Sequence, residues 1–174
     1  MESKIVHFDP DVHMDNFEKI YLEYGEQFLN DFKENTGKNF RGLEGVTASD
    51  FVKETIESYT ALKHPKGALY VIEVEDELAA IGGIHKLSED TGEIKRMFTS
   101  PKFRRNGFAR KMLNKLLETG RNIGCKKFLL DTPLFFKPAH ALYRSAGFVE
   151  TDEYPESEIP PDWRQYWMFM ELKP

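Results

Sequence analysis

Three apolar runs, at residues 69–74, 78–87 and 93–99, are separated only by two short polar stretches, Glu75-Asp76-Glu77 and residues 88–92. Connections that short cannot carry a crossover, so successive strands joined by them must pair antiparallel. A three-stranded meander therefore sits in the middle of the chain, and everything on either side of it has to cover a sheet.

C-terminal to the meander the pattern changes. A loop at residues 100–106 leads into a run with apolar residues at Ala109, Met112, Leu113, Leu116 and Leu117, the i, i+3, i+4, i+7, i+8 stripe of an amphipathic helix. Gly124 is a helix stop, and residues 128–132 read as a buried strand. This strand–helix–strand unit has the length of a right-handed crossover. A further helix is expected at residues 138–146, ended by Gly147, then a short strand at 148–151. Residues 152–162 are acidic and Pro-rich and read as a solvated loop, with a last strand expected at 163–172.

Ahead of the meander, residues 4–8 alternate weakly as a first strand. Asp9-Pro10-Asp11 reads as a helix start. Phe17, Ile20, Tyr21, Tyr24, Phe28 and Phe32 recur at helical spacing, and Gly25 leaves open a break into two helices. Residues 35–46 read as a Gly-rich loop, and 47–62 as a second helix capped by Thr47 or Ser49. The summed order is β-α-α-β-β-β-α-β-α-β-β, an α+β architecture in which a mixed, mostly antiparallel central sheet is flanked by helices.

At 174 residues the chain fits one domain, residues 1–174, with one sizeable core. A formal net charge of -5 argues against a nucleic-acid partner, because no positive field is present to displace phosphate counterions. Cys125 is the lone cysteine, so no internal disulfide can form. The five histidines (7, 13, 64, 85, 140) show no metal-ligand spacing, and no metal is expected. The first residues lack an apolar signal core and no run is long enough to span a bilayer, so the expectation is a cytoplasmic protein with no membrane partner.

The segment from Glu93 to Arg110 carries the chemistry. A strand enters a loop with adjacent Arg104 and Arg105, then Gly107, and a helix comes next. The unpaired N–H groups of a helix start point at one spot and the helix dipole favours an anion there. Gly107 lets a bulky anion approach the backbone, Ala109 keeps the first turn slim, and Arg104, Arg105 and Arg110 add charge. A pyrophosphate fits such a place.

Arg104-Arg105-Asn106-Gly107-Phe108-Ala109 resembles R/Q-x-x-G-x-G/A, the coenzyme A signature of the GNAT superfamily of N-acetyltransferases. Met97-Phe98-Thr99-Ser100-Pro101 resembles its lead-in. The stretch from Ala139 through Leu142 and Tyr143 to Gly147-Phe148 resembles its second signature. The resemblance covers residues 67–172, and the helices of 11–62 match in type and would shape the acceptor side. Phe136 departs from the pattern, since many members carry Asn there.

The resemblance implies the acyl-CoA N-acyltransferase fold and transfer of the acetyl group of acetyl-CoA to a small primary amine, with a homodimer as an available assembly. It implies that Met97 and Thr99 pair with the pantetheine arm, in a gap splayed between two strands, with Phe98 also among the cofactor-binding residues. Arg104, Arg105, Asn106, Gly107, Phe108, Ala109 and Arg110 would hold the pyrophosphate. Tyr143 stands where the family keeps its proton donor. Glu93 is one candidate base, expected on the same strand face as Met97 if the strand is regular. His85 is the second, and water alone the third. A non-catalytic coenzyme A-binding or interaction module on the same fold remains the alternative.

Overall fold

The computed structural model describes residues 2–40, 47–50, 52, 56 and 62–174. Its seven strands are β1 (Lys4–His7), β2 (Gly67–Val74), β3 (Glu77–Lys86), β4 (Thr91–Thr99), β5 (Lys127–Pro133), β6 (Val149–Thr151) and β7 (Trp167–Leu172). They form one sheet in the order β1-β2-β3-β4-β5-β7-β6. All neighbours are antiparallel except β4 and β5. The expected meander is β2-β3-β4, and the expected crossover makes the one parallel pair.

Helix α1 (Pro10–Thr36) covers one face. Asp9 caps it by accepting from the Asp11 N–H, and Gly37, at φ 69°, ends it with its N–H on Lys33 O. The helix is continuous through Gly25. The propensity cost of one glycine, about 1 kcal/mol, is smaller than the gain of about 1.5–3 kcal/mol from burying each of Tyr21, Phe28 and Phe32 along the same stripe. The second expected helix, 47–62, falls largely outside the described residues; residues 48–50 are helical.

Helices α2 (Phe108–Asn122) and α3 (Lys137–Ser145) cover the opposite face. The strand β2 shows why both faces are dry. Ala68, Tyr70 and Ile72 join the cluster around Met112 and Leu116 of α2, while Leu69 and Val71 join Phe17 and Tyr21 of α1. A third cluster ties Phe28 and Phe32 to Phe40, Trp167 and Phe169. Helix α2 sits close on the sheet, since a Cβ on Gly120 would come within 2.3 Å of the Phe128 ring.

The last strand starts at Trp167, four residues later than expected. Pro161–Tyr166 is instead a 3-10 turn, which Trp163 N–H and Arg164 Nε fix to Pro160 O and Ile159 O. The turn packs Trp163 and Tyr166 edge-on against Phe32. No described helix is long and apolar enough to cross a membrane.

Candidate active site

The parallel strands β4 and β5 pair at only three positions, Thr91↔Lys127, Gly92↔Phe128 and Glu93↔Leu129. Both then run on, to Thr99 and Pro133, without meeting again. The result is a V-shaped gap in the sheet. A bulge in β4 accompanies the divergence. Ile81 pairs with Phe98 and Gly83 with Lys95, so Gly82 faces two residues, and Arg96 takes φ 48°. Such a bulge bends a strand and leaves backbone groups unpaired.

The bulge also overturns one expectation. Glu93 and Lys95 lie on the α1 side, but Met97 packs with the α2 cluster and Phe98 returns to the α1 cluster. One extra residue at Arg96 shifts the alternation, so Glu93 and Met97 do not share a face. At the end of β4, Ser100 N–H donates to Ala79 O at 3.0 Å. The antiparallel alternation then turns the N–H and C=O of Thr99 toward the gap. Arg104 Nε donates to that Thr99 carbonyl at 3.3 Å.

A 3-10 turn, Pro101–Phe103, carries the chain from β4 to α2. Arg105 at φ 64° and Gly107 at φ 78° are both left-handed. Gly107 is the N-cap of α2 and no side chain caps the helix. Among the described residues, nothing lies within 4 Å of where a Gly107 Cβ would stand. Open space lies over the uncapped first-turn N–H groups, a geometry that favours an anion.

Of the seven residues from Arg104 to Arg110, the first four lie in the loop and Phe108, Ala109 and Arg110 in α2. Phe108 is buried in the core, as is Phe98 on β4, so each offers its backbone only. Asn106 Nδ2 donates to Phe103 O and Arg104 O, which holds the loop in shape. Arg104 leans over the Phe98 ring and donates to Gln27 of α1, and Arg110 donates to Ser145 of α3. Arg105 is exposed.

On the α1 side of the gap lies a cavity of about 120 Å³. Tyr24, Phe28, Phe40 and Trp167 form its apolar wall. Glu93, Lys95, Arg96, Asp131 and Glu158 bring charge to it. A wider surface groove of about 580 Å³ shares Glu93, Lys95 and Glu158 with the cavity and adds His85. His85 stands opposite Glu93 across β3 and β4, so the two candidate bases are neighbours. Burial and the nearby Lys95 ammonium push the His85 imidazole down from its ordinary value, which keeps it neutral.

Glu93 is only 2% exposed. Its Oε1 accepts from the Tyr154 hydroxyl at 2.8 Å. Lys95 Nζ lies 3.3 Å from Oε2, off line for a hydrogen bond, and Oε2 has no hydrogen-bond partner. Lys95 is engaged more closely by Glu158, at 2.6 Å. Burial therefore raises the Glu93 carboxyl above its ordinary value, and Lys95 offsets this only in part. Asp131 is raised for the same first reason, desolvation.

Tyr143, from α3, is buried beside Phe148. Burial, with the Tyr24 hydroxyl and the Asp131 carboxylate nearby, pushes its phenol far up, so it stays protonated. Tyr24 and Asp131 belong to the cavity wall, whereas Tyr143 packs in the core cluster on the α2 side of the sheet. Cys125 is buried against Gly92 and packs there.

Sequence reasoning missed Tyr24, Lys95, Arg96, Asp131 and Tyr154. It read residues 152–162 as a solvated acidic loop, yet Tyr154 and Ser157 are buried and Glu158 reaches the cavity. One tyrosine inside an acidic, Pro-rich run was the signal for this.

The sequence profile of the Acetyltransferase (GNAT) family matches residues 18–148. The Escherichia coli K12 protein YjgM, described as an uncharacterized N-acetyltransferase, is 35% identical over 112 residues, 63% of this chain. That match spans 66% of the relative's own length, just under two thirds. Among solved structures, a GNAT-family acetyltransferase from Staphylococcus aureus Mu50 superposes with a TM-score of 0.73 at 17% identity, covering 98% of each chain. The PaiA N-acetyltransferase of Thermoplasma acidophilum, solved in complex with coenzyme A, gives 0.68 at 12% identity over 100% of each chain. At these identities the two structures speak for the fold.

Proposed function

This chain belongs to the GNAT acetyltransferase family, and from that premise we propose that it moves the acetyl group of acetyl-CoA to a small primary amine by direct attack in a ternary complex. The observation that carries the reading is the V-shaped gap, open beyond Glu93↔Leu129, with the uncapped start of α2 beside its mouth. A pantetheine arm fits along the free edge of β4 at Thr99, and a pyrophosphate fits over Gly107.

The reaction needs an amine without its proton, help for the oxyanion and a proton for the leaving thiolate. Glu93 takes the amine proton, directly or through one water. Its raised carboxyl is better matched to that work near neutral pH than an ordinary glutamate. Tyr143 stays protonated at neutral pH and so has a hydroxyl hydrogen to offer the leaving sulfur, although burial makes it a weaker acid than an ordinary tyrosine. Backbone N–H groups beside Met97, in the bulge, supply the oxyanion contact. The apolar wall of Tyr24, Phe28, Phe40 and Trp167 takes the body of the acceptor and excludes water. A chain that only bound coenzyme A would gain nothing from a buried carboxylate short of hydrogen bonds.

Release of free thiol from acetyl-CoA, followed across a panel of primary amines, tests this reading. Turnover with at least one amine, saturable in both substrates, is the expected result. Tight acetyl-CoA binding with no thiol release from any amine would overturn it in favour of a binding module.

A further inference from the structure

The oxygens around Glu93 outnumber the protons available to them. Tyr154 has one hydroxyl proton. It lies 2.8 Å from Glu93 Oε1 and 3.3 Å from Asp131 Oδ2. One proton is shared unequally between the two contacts, and the shorter one holds the larger part. Asp131 Oδ2 also accepts from Ser157 Oγ, at 2.9 Å. On its far side Glu93 Oε2 is buried with no hydrogen bond.

The other charged neighbours do not cancel this shortage. Within β4, Lys95 is drawn to Glu158, and the Arg96 guanidinium reaches the Tyr21 hydroxyl at 3.1 Å and Glu158 at 3.4 Å. From β3 comes His85, held neutral, and from α1 the Tyr24 phenol. From β5 comes Asp131, which adds a second negative charge on the same hydroxyl. Two carboxylates sharing one donor in a dry site cannot ionise independently.

We propose that Tyr154 and Asp131 are positioning residues for the base, joined with Glu93 in one proton-sharing unit in which a single hydroxyl serves two carboxylates. The catalytic role of Glu93 itself rests on the transferase reading above; the coupling does not. Tyr154 favours the charged form of Glu93 by donating to it. Asp131 disfavours that form by its own charge and by competing for the donor. The two therefore pull Glu93 in opposite directions, which a scaffolding role would not do.

The test is a titration of Glu93 by carboxyl carbon-13 NMR, assigned with Glu93→Gln, in the parent, Tyr154→Phe and Asp131→Asn proteins. Tyr154→Phe should move the Glu93 midpoint up by about half a pH unit or more, and Asp131→Asn should move it down by about as much. The acid limb of kcat/KM should follow the same two directions. No movement, or movement of both variants in one direction, would overturn the proposal. Both substitutions keep side-chain shape. If Tyr154→Phe does not fold, Asp131→Asn alone decides, because an unmoved or raised midpoint there is incompatible with the unit. Opposite NMR shifts in a protein that turns over no amine would leave the unit standing and remove the transferase reading instead.

Discussion

Two glycines in this chain share a backbone and differ in surroundings, which makes them a matched pair for the proposed pyrophosphate site. Gly107 has φ 78° and Gly37 has φ 69°. Among the described residues, neither would place a Cβ within 4 Å of another atom. An alanine at either position meets no clash and pays only the left-handed penalty, about 1 kcal/mol. For a chain of 174 residues that lowers the melting temperature by about 2–4 °C in each variant. Only at Gly107 does the new methyl stand over the uncapped N–H groups of α2. In the parent protein, acetyl-CoA at a hundred times its dissociation constant adds about 2.7 kcal/mol, or about 5–11 °C. If the methyl weakens binding tenfold, the same ligand concentration adds only about 1.4 kcal/mol. Gly107→Ala should therefore lose about half of the ligand-induced shift, and Gly37→Ala should keep all of it. A thermal melt with and without acetyl-CoA reads both quantities in one experiment. Equal ligand shifts in the two variants would refute the placement of the pyrophosphate over Gly107.

Three further outcomes are expected from the site and its scaffold. Tyr143→Phe should lower kcat by about 10²–10⁴-fold with acetyl-CoA affinity unchanged, read by thiol release and calorimetry; equal turnover would remove Tyr143 as proton donor. Glu93→Gln should abolish amine transfer and yet raise the melting temperature at neutral pH. The folded carboxyl is raised above its ordinary value of 4.5, so the buried charge costs nothing at lower pH and costs more as pH rises through the folded value. The advantage of Gln should thus vanish on acidification, and a gain equally large in acid would refute the linkage. Gly120→Ala, whose Cβ would meet Phe128 at 2.3 Å and Ile84 at 2.6 Å, should lose about 1–3 kcal/mol by overpacking. Gly82→Ala should lose less, since its nearest neighbour, at 2.7 Å, is the flexible Met112 side chain; chemical denaturation of the two variants reads the difference.

Features that are local in the chain were legible in its sequence, and features made by distant partners were not. The meander was legible because Glu75-Asp76-Glu77 and residues 88–92 are too short for anything but antiparallel return. The uncapped start of α2 was legible because strand, loop, Gly107 and helix succeed one another directly. The face of Glu93 was not, because the bulge answers Gly82 on the neighbouring strand and leaves no mark in β4 beyond Arg96 itself. The start of the last strand was misread for a similar reason. Trp163 and Tyr166 look like strand residues by type, and only their packing on Phe32, more than a hundred positions earlier, makes them a 3-10 turn. The same holds for the chemistry. Glu93 was picked out as a candidate because the strand was expected to open there, although β4 begins two residues earlier, at Thr91. The groups that set how it holds a proton come from separate elements, with Tyr154 61 residues away in sequence and Asp131 donated by a strand reached through a crossover. A candidate base can be named from a sequence, but its proton affinity belongs to the tertiary structure. For that reason Asp131→Asn tells more about this site than any substitution within the signature residues.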